Sequence, residues 1–182
     1  MNCKFDITKT DDDYFEFNKF VSFKTPYGRK QLLSARIMVA VMFAVMALAV
    51  LLINGLSLAF YISAPLLAVA LVVYEIMFPR FMEKSIKKQI NKVKESGKLP
   101  YSPHSVMEFY DDKFVEITEK ERSEILYSSI ERVSVNENKA LYLHSDVLRA
   151  YIIPLSVFES EAQFNGFLDF ISAKVTAPAA EN

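Results

Sequence analysis

From Ile37 to Tyr74 no residue carries a charge, and an Asn54-Gly55 pair interrupts the run near its middle. As a single helix at ~1.5 Å per residue, this stretch would be almost twice as long as the ~30 Å bilayer core, which about 20 residues match. Two spans use it well: residues 37–53 and residues 56–78, with Asn54-Gly55 at the break. Glycine accepts positive φ without steric cost, and asparagine tolerates it better than most residues. The first span is short, and Arg36 can lengthen it by snorkelling. The competing reading is a buried helical pair within a soluble domain. The rest of the chain is too small to enclose two helices that are apolar all round, and uncharged runs of this length are normally membrane spans.

The charges sort themselves around this run. Residues 1–36 hold seven Lys/Arg against five Asp/Glu, and residues 79–98 hold seven against Glu83 and Glu95. Residues 99–182 reverse the balance, with seven basic and fourteen acidic groups. Lys24, Arg29, Lys30 and Arg36 precede the first span, while Arg80, Lys84, Lys87 and Lys88 follow the second; the connecting turn is uncharged. The positive-inside tendency then predicts a multi-pass protein of the plasma membrane with both termini cytoplasmic. Tyr61 and Tyr74 are candidates for the interface, and Tyr61 is equally a candidate for packing between the helices. Cys3 is the single cysteine and reads as a plain thiol in a reducing space, with intermolecular pairing as the alternative. The polar N-terminus lacks the pattern of a cleaved signal peptide.

Within the second span, Pro65 should kink the helix, a tolerated feature of membrane helices. Glu75 is the acid nearest the bilayer, which makes it a candidate proton or ion site by default. It also lies close enough to Arg80 and the headgroups to serve simply as an interfacial carboxylate.

The flanking segments read as follows. CKFDIT is a short strand with Phe5 and Ile7 on one face. Thr10 and Asp13 open a helix in capping-box fashion, with Tyr14, Phe17 and Val21 at helical spacing, and Thr25-Pro26-Tyr27-Gly28 breaks it. Residues 79–99 form a basic helix in which Met82, Ile86, Ile90 and Val93 recur; Arg80, Lys84, Lys87, Lys88 and Lys92 are its membrane-surface candidates. Each such charge near an anionic leaflet is worth ~1 kcal/mol, a general attraction that does not by itself define a lipid site. From Tyr101 onward the texture is β: SVMEFY and KFVEITE form a hairpin around Asp111-Asp112. EILYSSIERVSV makes one or two strands with a bend near Ser128-Ser129. ALYLHS and LRAYIIP form a further pair after a polar turn at residues 136–139. Ser160 and Gln163 cap a final helix whose stripe is Phe164, Phe167, Leu168, Ile171 and Val175.

Taken together, the N-terminal strand leading to TKTDDDYF, the two adjacent spans, and the stretches YSSIERVSVNENKALYL and AYIIPLSVFESEAQFNGFLDFI resemble the YcxB-like family of small bacterial membrane proteins. Tyr127, Ser129, Ile130, Ile152, Ile153, Pro154 and Phe158 match its pattern. The resemblance implies a C-terminal domain similar to bacterial pleckstrin-homology-like folds, a bent antiparallel sheet closed by one helix, and supplies no catalytic residues.

Chemical motifs are lacking. His104 and His144 are far apart in sequence, and neither zinc-ligand spacing, a glycine-rich phosphate loop nor a nucleophile elbow is present. His144, near a strand end, reads as a surface residue. The acidic C-terminal part repels nucleic acid. The expected architecture is an α+β membrane protein: residues 1–28 an N-terminal strand and helix, 29–78 the hairpin, 79–99 the basic juxtamembrane helix, 100–176 a cytosolic pleckstrin-homology-like β domain with its C-terminal helix, and 177–182 a disordered tail. The expected function is non-enzymatic and cofactor-free: a membrane-anchored binding or scaffolding module whose partners are the lipid bilayer and a cytosolic peptide or protein at the sheet edge. The rival is a homo-oligomeric accessory or transport subunit centred on Glu75.

Overall fold

The computed structural model describes residues 3–97, 99, 101–136 and 139–175, so the expected tail at 177–182 lies outside the described residues. The elements are β1 (Cys3–Thr8), α1 (Asp11–Lys24), α2 (Pro26–Asn54), α3 (Leu58–Glu95), β2 (His104–Phe109), β3 (Lys113–Thr118), β4 (Arg122–Leu126), β5 (Arg132–Asn136), β6 (Ala140–His144), β7 (Ala150–Pro154) and α4 (Glu161–Lys174). The chain is α+β, with two long apolar helices and two antiparallel sheets. It divides into two compact units: Ser22–Asn91, and the flanking segments Met1–Val21 and Lys92–Asn182 together.

In the flanking unit, β1 crosses the whole helical insertion to pair with β2, Phe5 opposite Met107 and Ile7 opposite Ser105. The order β1-β2-β3-β4 forms one sheet and β5-β6-β7 the other. The hairpin around Asp111-Asp112 is closed by Tyr110 N donating to Lys113 O at 2.9 Å. The bend near Ser128 is a single 3-10 turn, Tyr127–Ser129, and it separates two strands and two sheets where one bent sheet was expected.

Strand alternation sends Phe5, Ile7, Met107, Phe109 and Phe114 from the first sheet, and Leu141, Leu143 and Ile153 from the second, into one core. The α4 helix joins them through Phe167 and Ile171, both fully buried. Phe167 meets Phe109 edge to face at 4.8 Å and Phe5 at 5.1 Å, the geometry aromatic quadrupoles favour. Its start is capped as the sequence predicts, with Gln163 N donating to Ser160 Oγ at 3.2 Å.

The opposite face of β6 is covered as well. Phe17 and Val21 of α1 pack on Ala140, Tyr142 and Ile152, so every residue of β6 is buried. The α1 helix starts from a reciprocal Thr10–Asp13 box: Thr10 N donates to Asp13 Oδ2 and Asp13 N to Thr10 Oγ1. Asp11, in its first turn, binds Lys94 near the end of α3 and accepts from Tyr101 Oη at 2.5 Å. The segments entering and leaving the helical insertion thus converge on one carboxylate. At the end of the core, Lys9 Nζ donates to Glu116 Oε1 at 3.0 Å, with both side chains largely enclosed.

In the helical unit, α2 begins earlier than expected. Thr25 caps it, accepting from Gly28 N at 3.1 Å, and Pro26 opens the first turn, where its missing N–H costs nothing. Tyr27 and Gly28 therefore belong to the helix. Gly55 ends it at φ 60°, the left-handed conformation glycine adopts freely, and donates to Leu51 O at 2.8 Å. The α3 helix starts at Leu58, two residues later than expected, and runs unbroken for 38 residues through Pro65 and Pro79. The second apolar stretch and the basic stretch are one helix. Both long helices are long and apolar enough to cross a membrane, and no residue in the most apolar window of either is buried.

Candidate functional site

The cations singled out from sequence lie along the second half of α3. Arg80, Lys84, Lys87, Lys88 and Lys92 are all exposed, while Ile86 and Ile90, one turn apart, form the buried side. Met82 is half-buried and Val93 exposed, so the expected apolar stripe is narrower than its spacing suggests. Arg80 and Lys84 also line a cavity of about 340 Å³ together with Tyr74, Met77, Phe78 and Phe81.

Glu75 does not stand alone. Arg36 Nε donates to its Oε2 at 2.5 Å, and Arg36 Nη2 closes on the same oxygen. The Arg36 guanidinium also lies 5.8 Å from the centre of the Phe78 ring, which packs on Tyr74 at 5.5 Å. The pair ties α2 to α3 and neutralises Glu75, an arrangement suited to holding two helices together.

The strand ladders leave outer edges at β1 and β4 in one sheet and at β5 and β7 in the other. All five residues of β5 are half-buried, and Val133 and Val135 rest on the core. Tyr127, just before β5, meets Phe170 of α4 edge to face at 6.2 Å. The α4 helix therefore passes close to the approach to the β5 edge.

One polar group was misread from sequence. His144 is fully buried, because α1 folds over the strand end that carries it, with Phe17 and Phe20 within 6.5 Å of its ring. Neither ring nitrogen has a hydrogen-bond partner, nor does Nη2 of Arg132, its cross-strand neighbour. Burial, and then the charge of Arg132, pulls the imidazole down to about 4. The available signal was strand parity: His144 shares a face with Ala140 and Tyr142, and the aromatic stripe of α1 needed a surface to cover.

His104 Nδ1 lies 3.5 Å from Asp6 Oδ1 on an exposed face, and alternation sends the buried Ser105 to the opposite face. Among the described residues no group of three or more His, Cys, Asp or Glu side chains is placed to hold a metal ion. An open cavity of about 570 Å³ near the start of β2 and the end of β3 is lined by Tyr101, Ser102, His104, Thr118, Glu119 and Lys120, among others, and among the described residues no hydrogen bond joins its hydroxyls to His104 or Glu119.

Comparison of the chain with protein-family models, curated proteins and solved structures gives no match.

Proposed function

We propose that this chain is a membrane-anchored binding or scaffolding module. In this reading the α2–α3 hairpin spans the plasma membrane, both termini are cytoplasmic, and the two-sheet unit is a pleckstrin-homology-like domain without chemistry of its own. The observation that carries the reading is the β1–β2 ladder, running from Cys3 opposite Phe109 to Thr8 opposite His104. Paired strands must share one aqueous compartment, so the chain between them crosses any bilayer an even number of times. Two helices with uncharged apolar stretches, exposed along those stretches and carrying Lys and Arg towards the ends remote from their connecting turn, supply two crossings.

A four-stranded and a three-stranded antiparallel sheet around one core, with a C-terminal helix packed against it, support the pleckstrin-homology-like reading. The likeness to YcxB-like proteins belongs to the same proposal. Binding falls to the β5 edge beside α4, where an extended peptide adds a strand through main-chain hydrogen bonds. Pairing of Glu75 with Arg36 supports a structural role for that carboxylate over a transport role.

The test is in-cell photocrosslinking from Ser134 on β5, with reporter tags at both ends of the chain. The reading expects both tags on the cytoplasmic face and a crosslinked cytosolic protein. Recovery of nothing but a second copy of this chain favours the oligomeric alternative, and tags on opposite faces remove the topology.

A further inference from the structure

One face of α3 changes character within three turns. Tyr74, Met77, Phe78 and Phe81 stand at i, i+3, i+4 and i+7, so they share a side of the helix. Lys84 follows Phe81 on that side, and Arg80 flanks it one turn before. These six side chains line the 340 Å³ cavity. Met77 is 56% exposed and Phe81 68%, a poor surface for water, since burying either side chain is worth about 2 kcal/mol. Among the described residues neither Arg80 nor Lys84 has a carboxylate partner, and Glu75, on another side of the helix, is engaged by Arg36. The groove therefore runs from an apolar end at Tyr74 to two unneutralised cations about 9 Å and 15 Å further along the axis, at ~1.5 Å per residue.

We propose that this groove holds one acidic glycerophospholipid, its phosphate between Arg80 and Lys84 and an acyl chain along Met77 and Phe81. The inference rests on the membrane reading above. The lipid has the same gradation as the groove, chain to phosphate over a similar depth. The Arg80 guanidinium offers paired donors to phosphate oxygens, and Lys84 adds a compact second charge. Free phosphate would meet the cationic end alone and leave Phe81 in water, which identifies the occupant as a lipid. A zwitterionic headgroup brings its own ammonium beside the two cations, so a net-negative headgroup is preferred. Lys87, Lys88 and Lys92 lie outside the cavity lining and contribute general attraction to an anionic surface.

The test is native mass spectrometry of the full chain in non-ionic detergent, titrated separately with phosphatidylglycerol and phosphatidylethanolamine. The expected result is one retained phosphatidylglycerol with about tenfold preference over phosphatidylethanolamine, a modest figure for two charge-assisted contacts. Arg80→Gln with Lys84→Gln abolishes that preference, whereas the charge-matched Lys88→Gln with Lys92→Gln keeps it; circular dichroism verifies that both variants remain helical. Phe81→Ala weakens both lipids alike. Equal losses in the two double variants, or no preference in the parent chain, overturn the site while leaving the membrane reading intact. A chain that stays dispersed without detergent overturns the membrane reading and the lipid site together.

Discussion

Arg36 and Glu75 stand 39 residues apart in sequence, yet the Arg36 Nε–H points at Glu75 Oε2 from 2.5 Å. This contact bolts α2 to α3 at the charged margin of their apolar stretches. Both side chains keep substantial exposure, so the pair contributes at most about 1 kcal/mol. Glu75→Gln is expected to lower the thermal midpoint in detergent slightly by circular dichroism and to leave proton flux in proteoliposomes at the parent level. Exchanging the two charges, Arg36→Glu with Glu75→Arg, should recover the midpoint.

His144 makes the folded state sensitive to acid. Its folded pKa of about 4 lies below the ordinary value of 6.5, so the unfolded chain binds the extra proton first as pH falls. Stability is therefore intact above pH 6.5, declines between 6.5 and 4 by up to about 3 kcal/mol, and levels off for this group below that. His144→Leu should flatten this window in denaturant titrations at a series of pH values. It should also raise stability at pH 7 by about 1 kcal/mol, because two unpartnered ring nitrogens leave the interior.

Lys9 and Glu116 form a largely enclosed ion pair, with 8% and 17% of their side chains exposed. Removing one partner leaves the other charge stranded, so Glu116→Leu alone should cost about 3 kcal/mol in urea unfolding. Lys9→Met combined with Glu116→Leu should regain most of that loss. A double variant as unstable as the single one would show that the pair acts through something other than its charges.

Phe17 anchors α1 to the second sheet, its ring 5.2 Å from that of Tyr142. Phe17→Ala should cost about 3 kcal/mol, as large-to-small changes in cores do. Hydrogen exchange should show faster exchange in α1 and at Tyr142 and His144, with β2 and β3 comparatively unaffected. Uniform acceleration through both sheets would mean that α1 is integral to the global unit and not a separately anchored cover.

What the sequence made legible is local. Asn54-Gly55 marks the end of α2 because glycine chemistry is written in two letters, and the Thr10–Asp13 and Ser160–Gln163 boxes mark helix starts for the same reason. Alternation located the β segments because its period is two. The pairing of β1 with β2 is different in kind: nothing in CKFDIT names a partner beyond two long helices, and only the shared core of Phe5, Met107 and Phe109 selects it. The burial of His144 was hidden likewise, since it depends on a helix from the other end of the chain.

The candidate site was half legible. Arg80 and Lys84 announce themselves by charge, but the groove exists only because α3 continues through Pro79. A proline inside a helical pattern reads as a stop, and a stop there would have turned Tyr74 and Met77 away from Phe81 and Lys84. Continuity brings the aromatic and cationic side chains into register.

The β1–β2 pairing also imposes an order of events on the growing chain. Cys3–Thr8 leaves the ribosome first but has no strand to lie against until His104–Phe109 follows, after both long helices have been made. Closing so long an intervening loop costs only slightly more than closing a shorter one, because that entropy grows with the logarithm of length. The wait is therefore a matter of timing: the earliest-born strand of the sheet stays unpaired until both long helices behind it have been made.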